Sequence, residues 1–324
     1  MIKVFEVVDG QAGAEQAAAI RAGLDPAKFD AELIDAAGLS KSALKKLFLE
    51  RRPDVVHAHS EAGRARAAAK AAGVKKIFYT PHGYRFLSRK SAASRALGRL
   101  LEKTAARVGE TVAASDAEAE LARRISPRRP VHLVRDGYRG GFPEPRAHDD
   151  IVIGSTGRMT RAADPDAWVL LAQRLTDSRN GIKCVWIGGG EGEAKARTDL
   201  TNMNLLIKVS ITGEQAPAAA AEALRGLDVL IRYSREDIGL DDIQRAMALG
   251  LPVVASDLPA YRELVVPGKT GFLVKSETEL LERCQALIDD SELRRSLGSA
   301  GQERLREDFS PARQLAELSR LYAA

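Results

Sequence analysis

The sequence predicts an α/β protein built from two doubly wound parallel-sheet (Rossmann-like) domains that face a cleft. Short apolar runs typical of buried β-strands alternate with alanine-rich runs typical of helices along the whole chain. A segment rich in Gly, Pro and charge, residues 138–150, interrupts this alternation once. The length of 324 residues also exceeds the roughly 250–300 at which a single hydrophobic core stops growing. Strand–helix alternation with short connections implies parallel sheets covered by helices on both faces.

The first predicted domain spans residues 1–140. Its apolar runs are short and end at Gly, Ser or Pro, and most are followed by a helical run. In chain order the predicted strands and helices are IKVFEVV, GAEQAAAIRAGL, DVVHAHS, EAGRARAAAKAAG, KKIFYTPHG, the long helical run 88–108, ETVAAS, DAEAELARRI and VHLVRDG.

The second predicted domain spans residues 151–308, after an interdomain linker. We expect residues 309–324 to form a C-terminal helix that packs back on the first domain. Ligands of such sheets bind at the carboxyl ends of the strands. The predicted strands are IVIGS, CVWIGG, VSITG, DVLIRYS, PVVAS and GFLV, separated by helical runs.

Composition excludes several classes of protein. Hydrophobic residues make up 45% and charged residues 29% of the chain, as in ordinary globular proteins. No apolar run approaches the roughly 18 residues that span a bilayer, and the N-terminal run is too short for a secretory signal. Cys184 and Cys284 have no metal-ligand spacing, and we expect buried thiols in a reducing cytoplasm. No cofactor is expected.

Charge is unevenly distributed. The first 150 residues hold 27 Lys and Arg against 19 Asp and Glu, whereas the whole chain has a net charge of +5. A basic first half fits an anionic partner or an anionic surface. Nucleic acid is not the expected partner, because no stacking aromatics interleave with the basic residues and no nucleic-acid-binding motif occurs.

One stretch of the second half, SREDIGLDDIQRAMALGLPVVASD, combines a loop acid with a helix start. Glu236 follows the strand DVLIRYS, and Gly239 permits a tight turn before the helix. Asp241 and Asp242 fall in the first helical turn, where acids suit the helix dipole. Gln244 lies one turn further on and points back toward the loop. Two such polar groups could bind adjacent sugar hydroxyls, while the helix N-terminus offers N–H groups to phosphate.

This stretch resembles the retaining glycosyltransferases of the two-domain GT-B fold, family four, of the bacterial envelope and exopolysaccharide type. The resemblance covers nearly the whole chain. In this family a Glu near the donor sugar is followed eight residues later by a second Glu that holds the ribose hydroxyls. The residues shared with the family pattern are Ser234, Glu236, Gly239, Leu240, Ala246, Met247, Ala248, Gly250, Pro252, Val253, Val254 and Ala255.

The resemblance implies donor-binding roles in the second half, with two departures. Glu236 takes the position near the donor sugar, and Gln244 replaces the second Glu with an uncharged amide. Arg158 fits the Arg that clamps the diphosphate, but Ala163 stands where the family has Lys. Arg161 is the nearest candidate for the missing cation. Further donor-binding candidates are Leu240 and the glycines Gly188, Gly190, Gly213 and Gly239.

The resemblance also implies sites in the first half, on its acceptor side. His82, in the sequence Thr-Pro-His-Gly, takes the position that contacts the donor sugar near the reacting centre, and with Glu236 it is a predicted catalytic residue. Gly13 matches a loop that approaches the diphosphate. Each of these residues also has an ordinary structural explanation, as a core histidine, a capping acid or a tight turn.

Two further features of the first half have open interpretations. His57 and His59 alternate on one strand and share a face, but no third metal ligand is evident beside them, so no metal site is predicted. Four basic residues recur every fourth position on the long helix, whose packed side is expected to carry Leu97, Leu100, Leu101, Thr104 and Val108. The basic ridge is either a solvated face or a surface that docks on an anionic membrane or acceptor; it comprises Arg95, Arg99, Lys103 and Arg107.

Together these observations predict a metal-independent retaining hexosyltransferase. It would move a sugar from a nucleotide diphosphate sugar to a lipid-linked or envelope glycan acceptor, in the cytoplasm or on the cytoplasmic membrane face. Glu236, Arg158 and His82 are then expected around one shared hollow. Two alternatives stay open: a degenerate non-catalytic transferase acting as a binding partner in polysaccharide assembly, and a nucleotide-sugar epimerase. A dinucleotide dehydrogenase is disfavoured, because no complete Gly-x-Gly-x-x-Gly follows the first strand.

Overall fold

The computed structural model describes residues 1–10, 13–60, 63–84, 86, 91–146, 149–236 and 240–324. It divides into two compact units. The first unit comprises Met1–Gly137 and Phe309–Ala324, and the second comprises Tyr138–Asp308. Over the described residues no helix combines the length and apolarity needed to cross a membrane.

The first unit is a parallel sheet with helices on its faces. The strand order is β2-β1-β3-β4-β5-β6, and every pairing among these strands is parallel. The central strands are buried along most of their length, which matches their continuous apolar sequence. The elements are β1 (Ile2–Val8), α1 (Ala14–Gly23), β2 (Phe29–Asp35), α2 (Lys41–Arg51), β3 (Val55–His59), α3 (Gly63–Ala71), β4 (Lys76–Thr80), α4 (Ala92–Ala105), β5 (Glu110–Ala113), α5 (Asp116–Ile125) and β6 (Val131–Leu133).

The second unit repeats this architecture with strand order β12-β11-β10-β7-β8-β9, again with parallel pairings. Its largest apolar cluster is centred on Trp168 and Trp186, whose rings meet edge to face at 5.4 Å. The elements are β7 (Ile151–Thr156), a 3₁₀ turn (Arg161–Ala163), α6 (Pro165–Ser178), β8 (Ile182–Ile187), α7 (Glu193–Asn202), β9 (Val209–Ile211), α8 (Pro217–Leu224), β10 (Val229–Arg232), α9 (Leu240–Ala248), β11 (Val253–Ser256), α10 (Tyr261–Leu264), β12 (Gly271–Val274), α11 (Glu277–Asp289) and α12 (Ser291–Asp308).

The C-terminal helix, α13 (Pro311–Ala323), packs against the first unit. Its Tyr322 is fully buried in a cluster with Phe29 and Phe78, at ring distances of 6.2 and 5.7 Å. Leu315 of the same helix packs on Gly23, where a Cβ would collide with Cδ1 of the leucine and would force its side chain to move. The last residues of the chain therefore complete the core formed by the first.

Two parallel sheets with flanking helices confirm the predicted α/β fold class. In the first unit two elements were absent from the prediction, β2 and α2. β2 is the edge strand of the first sheet, and only its first and sixth residues, Phe29 and Ile34, are buried. An edge strand needs no continuous apolar run, so its sequence carries little of the signal that identifies central strands.

Candidate functional site

The second unit contains a pocket of about 230 Å³ at the carboxyl ends of its strands. The pocket is lined by the turn after β7, with Gly157 and Arg158, and by the start of α9, with Asp242 and Arg245. Glu214 and Gln215, after β9, also line it. The pocket thus lies where parallel sheets of this kind bind their ligands.

The glycines after β8 bring two backbone segments together at this pocket. A Cβ on Gly188 would collide with the carbonyl oxygen of Gly157, and one on Gly190 would lie 3.0 Å from the nitrogen of Met159. Both glycines have positive φ, 137° and 142°, where side chains are strained. Gly188 and Gly190 line the pocket beside Arg158, as a ligand-approach loop requires, although a tight turn would need the same glycines.

Arg158 is exposed and lines this pocket, whereas Arg161 does not appear among its lining residues. Arg161 lies in the 3₁₀ turn, with its backbone nitrogen 3.4 Å from a carboxylate oxygen of Glu191. Ala163 is 3% exposed and belongs to the apolar core. A second guanidinium comes instead from Arg245, one turn into α9, which lies 3.7 Å from the carboxylate of Asp242.

The loop before α9 is held by hydrogen bonds from buried hydroxyl groups. The hydroxyl of Ser234 donates to the carbonyl oxygen of Glu236 at 2.9 Å and lies 2.7 Å from the hydroxyl of Tyr261. Glu236 itself is exposed. Residues 237–239 lie outside the described residues, so the predicted role of Gly239 stays a prediction.

The remaining donor-side candidates have different positions. Leu240 begins α9 and is 37% exposed. Gln244 is half-buried on α9, and the pocket is lined by its neighbour Arg245 instead. Gly213 has a φ of 74° and lies near Glu193 and Arg197, while the two residues after it reach the pocket.

In the first unit, His82 and Gly13 lie in direct contact. Gly13 caps the N-terminus of α1 with a φ of 77°, and a Cβ on it would stand 2.7 Å from Cδ2 of His82. His82 follows β4 and has a φ of 49°, in the left-handed region that non-glycine residues rarely adopt. The two predicted site residues of the first unit are therefore brought together, in a locally strained arrangement.

Behind His82 a chain of buried polar groups extends into the core. Nε2 of His82 lies 2.9 Å from Nδ1 of His59, whose Nε2 lies 2.7 Å from a carboxylate oxygen of Glu6. The hydroxyl of Tyr322 donates to the other oxygen of Glu6 at 2.9 Å and lies 2.5 Å from Nδ1 of His57. Glu6, His57, His59 and Tyr322 are each at most 1% exposed.

Burial sets the charge of two of these histidines. It lowers the pKa of His57 well below its usual value, with further contributions from His59 and His82. Burial and the neighbouring His59 lower the pKa of His82 to about 3. Both imidazoles are therefore neutral at physiological pH.

The expectation that no third ligand accompanies His57 and His59 is wrong, because Glu6 supplies one. The ligand atoms of these three residues all lie within 4.8 Å of one another. However, Nε2 of His59 lies 2.7 Å from a carboxylate oxygen of Glu6, and Nδ1 of His57 lies 2.5 Å from the hydroxyl of Tyr322. Tetrahedral zinc, with bonds of about 2.0–2.1 Å, holds its ligand atoms roughly 3.3 Å apart. The observed spacings are those of hydrogen bonds.

A second cavity, of about 270 Å³, lies beside His82 in the first unit. Its wall contains Arg66, a 2%-exposed residue whose guanidinium stacks on Tyr79 at 3.7 Å and pairs with Glu102 at 3.1 Å. Tyr84 also lines this cavity. A buried cation, a carboxylate and two phenol rings form a wall suited to a polar ligand with apolar faces, such as a sugar.

The predicted packed face of α4 is wrong for its three leucines and for Thr104, whereas Val108, just beyond the helix, packs against the apolar core as expected. Leu97, Leu100 and Leu101 are 55%, 60% and 58% exposed. The helix turns Gly98 and Glu102 inward instead, because the buried guanidinium of Arg66 requires the carboxylate of Glu102. The leucines consequently share the exposed surface of the helix with Arg95, Arg99 and Lys103 of the predicted basic ridge. Its fourth member, Arg107, is also exposed but lies beyond the end of α4 at Ala105.

The structure adds site residues that the sequence interpretation did not select. Arg245 could have been found from its place beside Asp242 in the first turns of α9. Glu6 is a carboxylate within the apolar run IKVFEVV, an unusual residue for a strand with covered faces. Tyr322 carried no such signal, because its partner lies 316 residues away in the chain.

Comparisons with known proteins agree with this architecture. The family model "Glycosyl transferases group 1" matches residues 142–304, and "Glycosyltransferase Family 4" matches residues 7–138. The chain is 24% identical over 309 residues to the protein EpsD of Bacillus subtilis, covering 87% of this chain and 79% of EpsD. It is 30% identical over 146 residues to a GDP-mannose-dependent alpha-mannosyltransferase of Mycolicibacterium smegmatis, covering 45% of this chain and 34% of that enzyme.

Among solved structures, Anabaena HepE in complex with UDP superposes with a TM-score of 0.76 at 16% identity, covering 100% of both chains. Such a likeness shows the fold, which is GT-B. The first family model covers half of the chain, and its residues include the pocket with Arg158 and the start of α9. The chain therefore belongs to the glycosyl transferases group 1 family of GT-B glycosyltransferases.

Proposed function

We propose that this glycosyltransferase moves a hexose from a nucleotide diphosphate sugar to a lipid-linked or envelope glycan, with retained anomeric configuration and without a metal ion. The observation that carries the proposal is the pocket of the second unit. It combines the Arg158 guanidinium, the glycine turn Gly188–Gly190 and the first turn of α9. These are the parts that bind a diphosphate: a fixed cation, close backbone approach and a helix N-terminus.

Relatives support a nucleotide-sugar donor. Anabaena HepE has been solved with UDP-glucose, and the mycobacterial relative is named as dependent on GDP-mannose. The pocket offers a carboxylate at Glu214 and an amide at Gln215, both able to hydrogen-bond a nucleobase or ribose. Uridine and guanosine nucleotides are therefore the first donors to test.

The proposed chemistry places charge stabilisation on the diphosphate. As the bond from the anomeric carbon to the leaving phosphate oxygen breaks, the acceptor hydroxyl forms its bond on the same face of the sugar. The acceptor proton passes to the leaving phosphate oxygen. Arg158 would stabilise the negative charge that develops there, and Arg161 would add a cation only by moving from its present position. Glu236 would position the donor sugar.

The acceptor is assigned to the first unit. The cavity beside His82, with Arg66, Tyr79 and Glu102 in its wall, is of a size and polarity to take a sugar. On the neighbouring α4 the exposed leucines and the basic side chains of Arg95, Arg99 and Lys103 suit a negatively charged membrane surface, where amphipathic helices bury an apolar face. A groove of about 470 Å³ lined by Arg95, Arg99, Leu100 and Lys103 runs along this helix.

A thermal-shift screen against UDP, GDP, ADP and their sugars tests the proposal. We expect one nucleotide sugar to raise the melting temperature of the wild-type chain and to lose this effect in Arg158→Ala. The matched control is Arg179→Ala, which removes an exposed guanidinium paired with Asp289. If no nucleotide sugar binds at millimolar concentration, the transferase proposal is wrong and the non-catalytic alternative takes its place. Release of epimerised donor without acceptor would instead identify an epimerase.

A further inference from the structure

We infer that Glu6 and His59 form a buried ion pair that fixes His82 as the neutral tautomer protonated on Nδ1. In this state His82 presents a hydrogen-bond donor to a ligand and cannot accept a proton from one. The protonation state follows from the hydrogen bonds, the neighbouring charges and the burial of these groups. The statement that the ligand is a sugar substrate rests on the proposed function.

The carboxylate of Glu6 accepts a hydrogen bond at each of its two oxygens. The hydroxyl of Tyr322 donates to one oxygen at 2.9 Å, and Nε2 of His59 lies 2.7 Å from the other. An ionised carboxylate has no proton to give, so Nε2 of His59 must carry the hydrogen.

At the far end of the network, a neutral His57 completes the hydrogen bonds. Because Tyr322 has one proton and gives it to Glu6, its oxygen accepts from Nδ1 of His57 at 2.5 Å. Nε2 of His57 then accepts from the hydroxyl of Thr80 at 2.8 Å. His57 therefore supplies no positive charge to balance Glu6, in agreement with the lowering of its pKa by burial.

A single proton is shared between Nδ1 of His59 and Nε2 of His82, which lie 2.9 Å apart. If it belongs to His82, then His59 is neutral and Nδ1 of His82 is a bare lone pair. That lone pair would face the carboxylate of Asp136 at 3.8 Å, a repulsive arrangement. If the proton belongs to His59, then Nδ1 of His82 carries a hydrogen toward Asp136, which is attractive.

Charge balance gives the same assignment independently. Glu6 is 0% exposed, and a buried carboxylate without a cationic partner costs several kcal/mol in real proteins. His59, also 0% exposed and in direct contact, becomes that partner when both of its nitrogens are protonated. The remaining N–H of His59, at Nδ1, then donates to His82.

His82 itself stays neutral in this arrangement. It lies against Gly13 at the N-terminus of α1, where the helix dipole disfavours a cation, and beside the positive charge of His59. Burial and His59 lower its pKa to about 3. Nε2 is occupied by His59, and Asp136 lies 3.8 Å from Nδ1, beyond hydrogen-bond distance. Within the part of the chain that the structure describes, Nδ1–H is therefore the group left for a ligand oxygen.

Glu6 and His59 are thus positioning residues, and His82 is the residue that would touch the substrate. A neutral Nδ1–H can orient a sugar hydroxyl by donating to it, but it cannot serve as a general base. Tyr322 stabilises the network through one oxygen of Glu6 without setting its charge. The C-terminal helix α13 therefore supports the site through this hydroxyl and through Gln314, whose amide donates to Asp136 at 2.8 Å.

Nitrogen NMR of ¹⁵N-histidine-labelled protein tests the inference without any turnover. Long-range ¹H–¹⁵N correlations separate protonated from bare ring nitrogens, and His82→Gln assigns the His82 signals. At pH 7 we expect a protonated Nδ1 and a bare Nε2 on His82, and two protonated nitrogens on His59. A protonated Nε2 on His82 in the wild-type protein overturns the inference, whether or not any variant folds.

Two variants sharpen the test. Glu6→Gln removes the negative charge at nearly constant shape, so His59 should lose a proton and His82 should change to the Nε2–H tautomer. Tyr322→Phe removes one hydrogen bond but keeps the carboxylate, so the tautomer of His82 should stay unchanged. An unchanged tautomer in folded Glu6→Gln contradicts the inference, as does a spectrum that changes when a chelator removes bound metal. Failure of the donor screen would remove the substrate role and leave these spectra unaffected.

Discussion

Gly13 and His82 are packed so closely that the space for a side chain at position 13 is already filled by the imidazole. A Cβ on Gly13 would lie 2.7 Å from Cδ2 of His82 and 3.1 Å from Cβ of His59. Close packing at Gly13 and the buried ion pair together hold His82 in place.

Gly13→Ala should disturb both stability and the position of His82. Gly38→Ala is the matched control, since the two glycines have φ values of 77° and 74° but Gly38 has nothing within 4 Å of its Cβ position. The backbone strain, about 1–2 kcal/mol, is common to both variants. We expect urea denaturation to show a larger loss for Gly13→Ala, with displaced His82 resonances. Equal losses and an undisturbed His82 would contradict the close contact.

Glu236→Ala should abolish sugar transfer while leaving the fold intact. Glu236 is exposed, and the hydroxyls of Ser234 and Tyr261 bond to its backbone oxygen and not to its carboxylate, so the side chain contributes little to stability. Loss of a group that positions the donor sugar should lower kcat by about 100- to 1,000-fold. Transfer to acceptor and the melting temperature are measured together. Full activity in Glu236→Ala would remove this residue from the site, and Glu236→Gln separates the contribution of the charge.

Arg158→Ala should weaken nucleotide diphosphate binding by about 10- to 100-fold, since a hydrogen bond to a charged group contributes roughly 1.5–3 kcal/mol. Calorimetric titration with the diphosphate identified by the screen gives the affinity. Arg161→Ala tests whether Arg161 supplies the cation that is missing at Ala163. A small effect is expected in the observed arrangement, because the pocket is already lined by a second guanidinium, that of Arg245, and not by Arg161. An equal loss in both variants would show that the 3₁₀ turn moves to bring Arg161 to the ligand.

The sequence predicts the parts of this protein that are encoded locally. The buried strands β1, β3 and β4 follow from continuous apolar runs, and the turn with Arg158 and the glycine pair after β8 follow from local motifs. The buried network behind His82 was not predicted, because it joins residues from β1, β3, β4 and the C-terminal helix. The orientation of α4 was wrong for a related reason: the pairing of Arg66 with Glu102 links two different helices and overrides the leucine pattern.

The exposed face of α4 should bind anionic membranes. Removing one basic side chain near a charged bilayer costs about 1 kcal/mol, or roughly fivefold in affinity. Arg99→Ala should therefore weaken binding to vesicles that contain phosphatidylglycerol, as measured by co-sedimentation at low and high salt. Lys46→Ala is the control, because Lys46 is an exposed cation of α2 paired with Glu50 at 3.7 Å. Equal losses in the two variants would indicate attraction by net charge instead of docking through α4.

Acidification should destabilise the first unit through its neutral histidines. A group whose pKa is lower in the folded state than in the unfolded chain contributes stability that is complete above the unfolded value and is lost as the pH falls. For His82 the folded value is about 3 and the unfolded value 6.5, so the loss extends over that interval, at about 1.4 kcal/mol per pH unit. His57 contributes in the same direction, since burial lowers its pKa too.

Urea denaturation of the wild-type chain and His82→Gln at pH 7, 6 and 5 isolates the His82 contribution. The Gln side chain can still accept the hydrogen bond from His59 through its amide oxygen, but it does not titrate. The free energy of unfolding of the variant should therefore fall less steeply with acidification than that of the wild type. The other titratable groups near His82 are common to both proteins, so the difference in slope belongs to this imidazole. Those groups are Glu6, His57, His59, Glu118 and Asp136. Parallel slopes of the two proteins would show that His82 titrates normally.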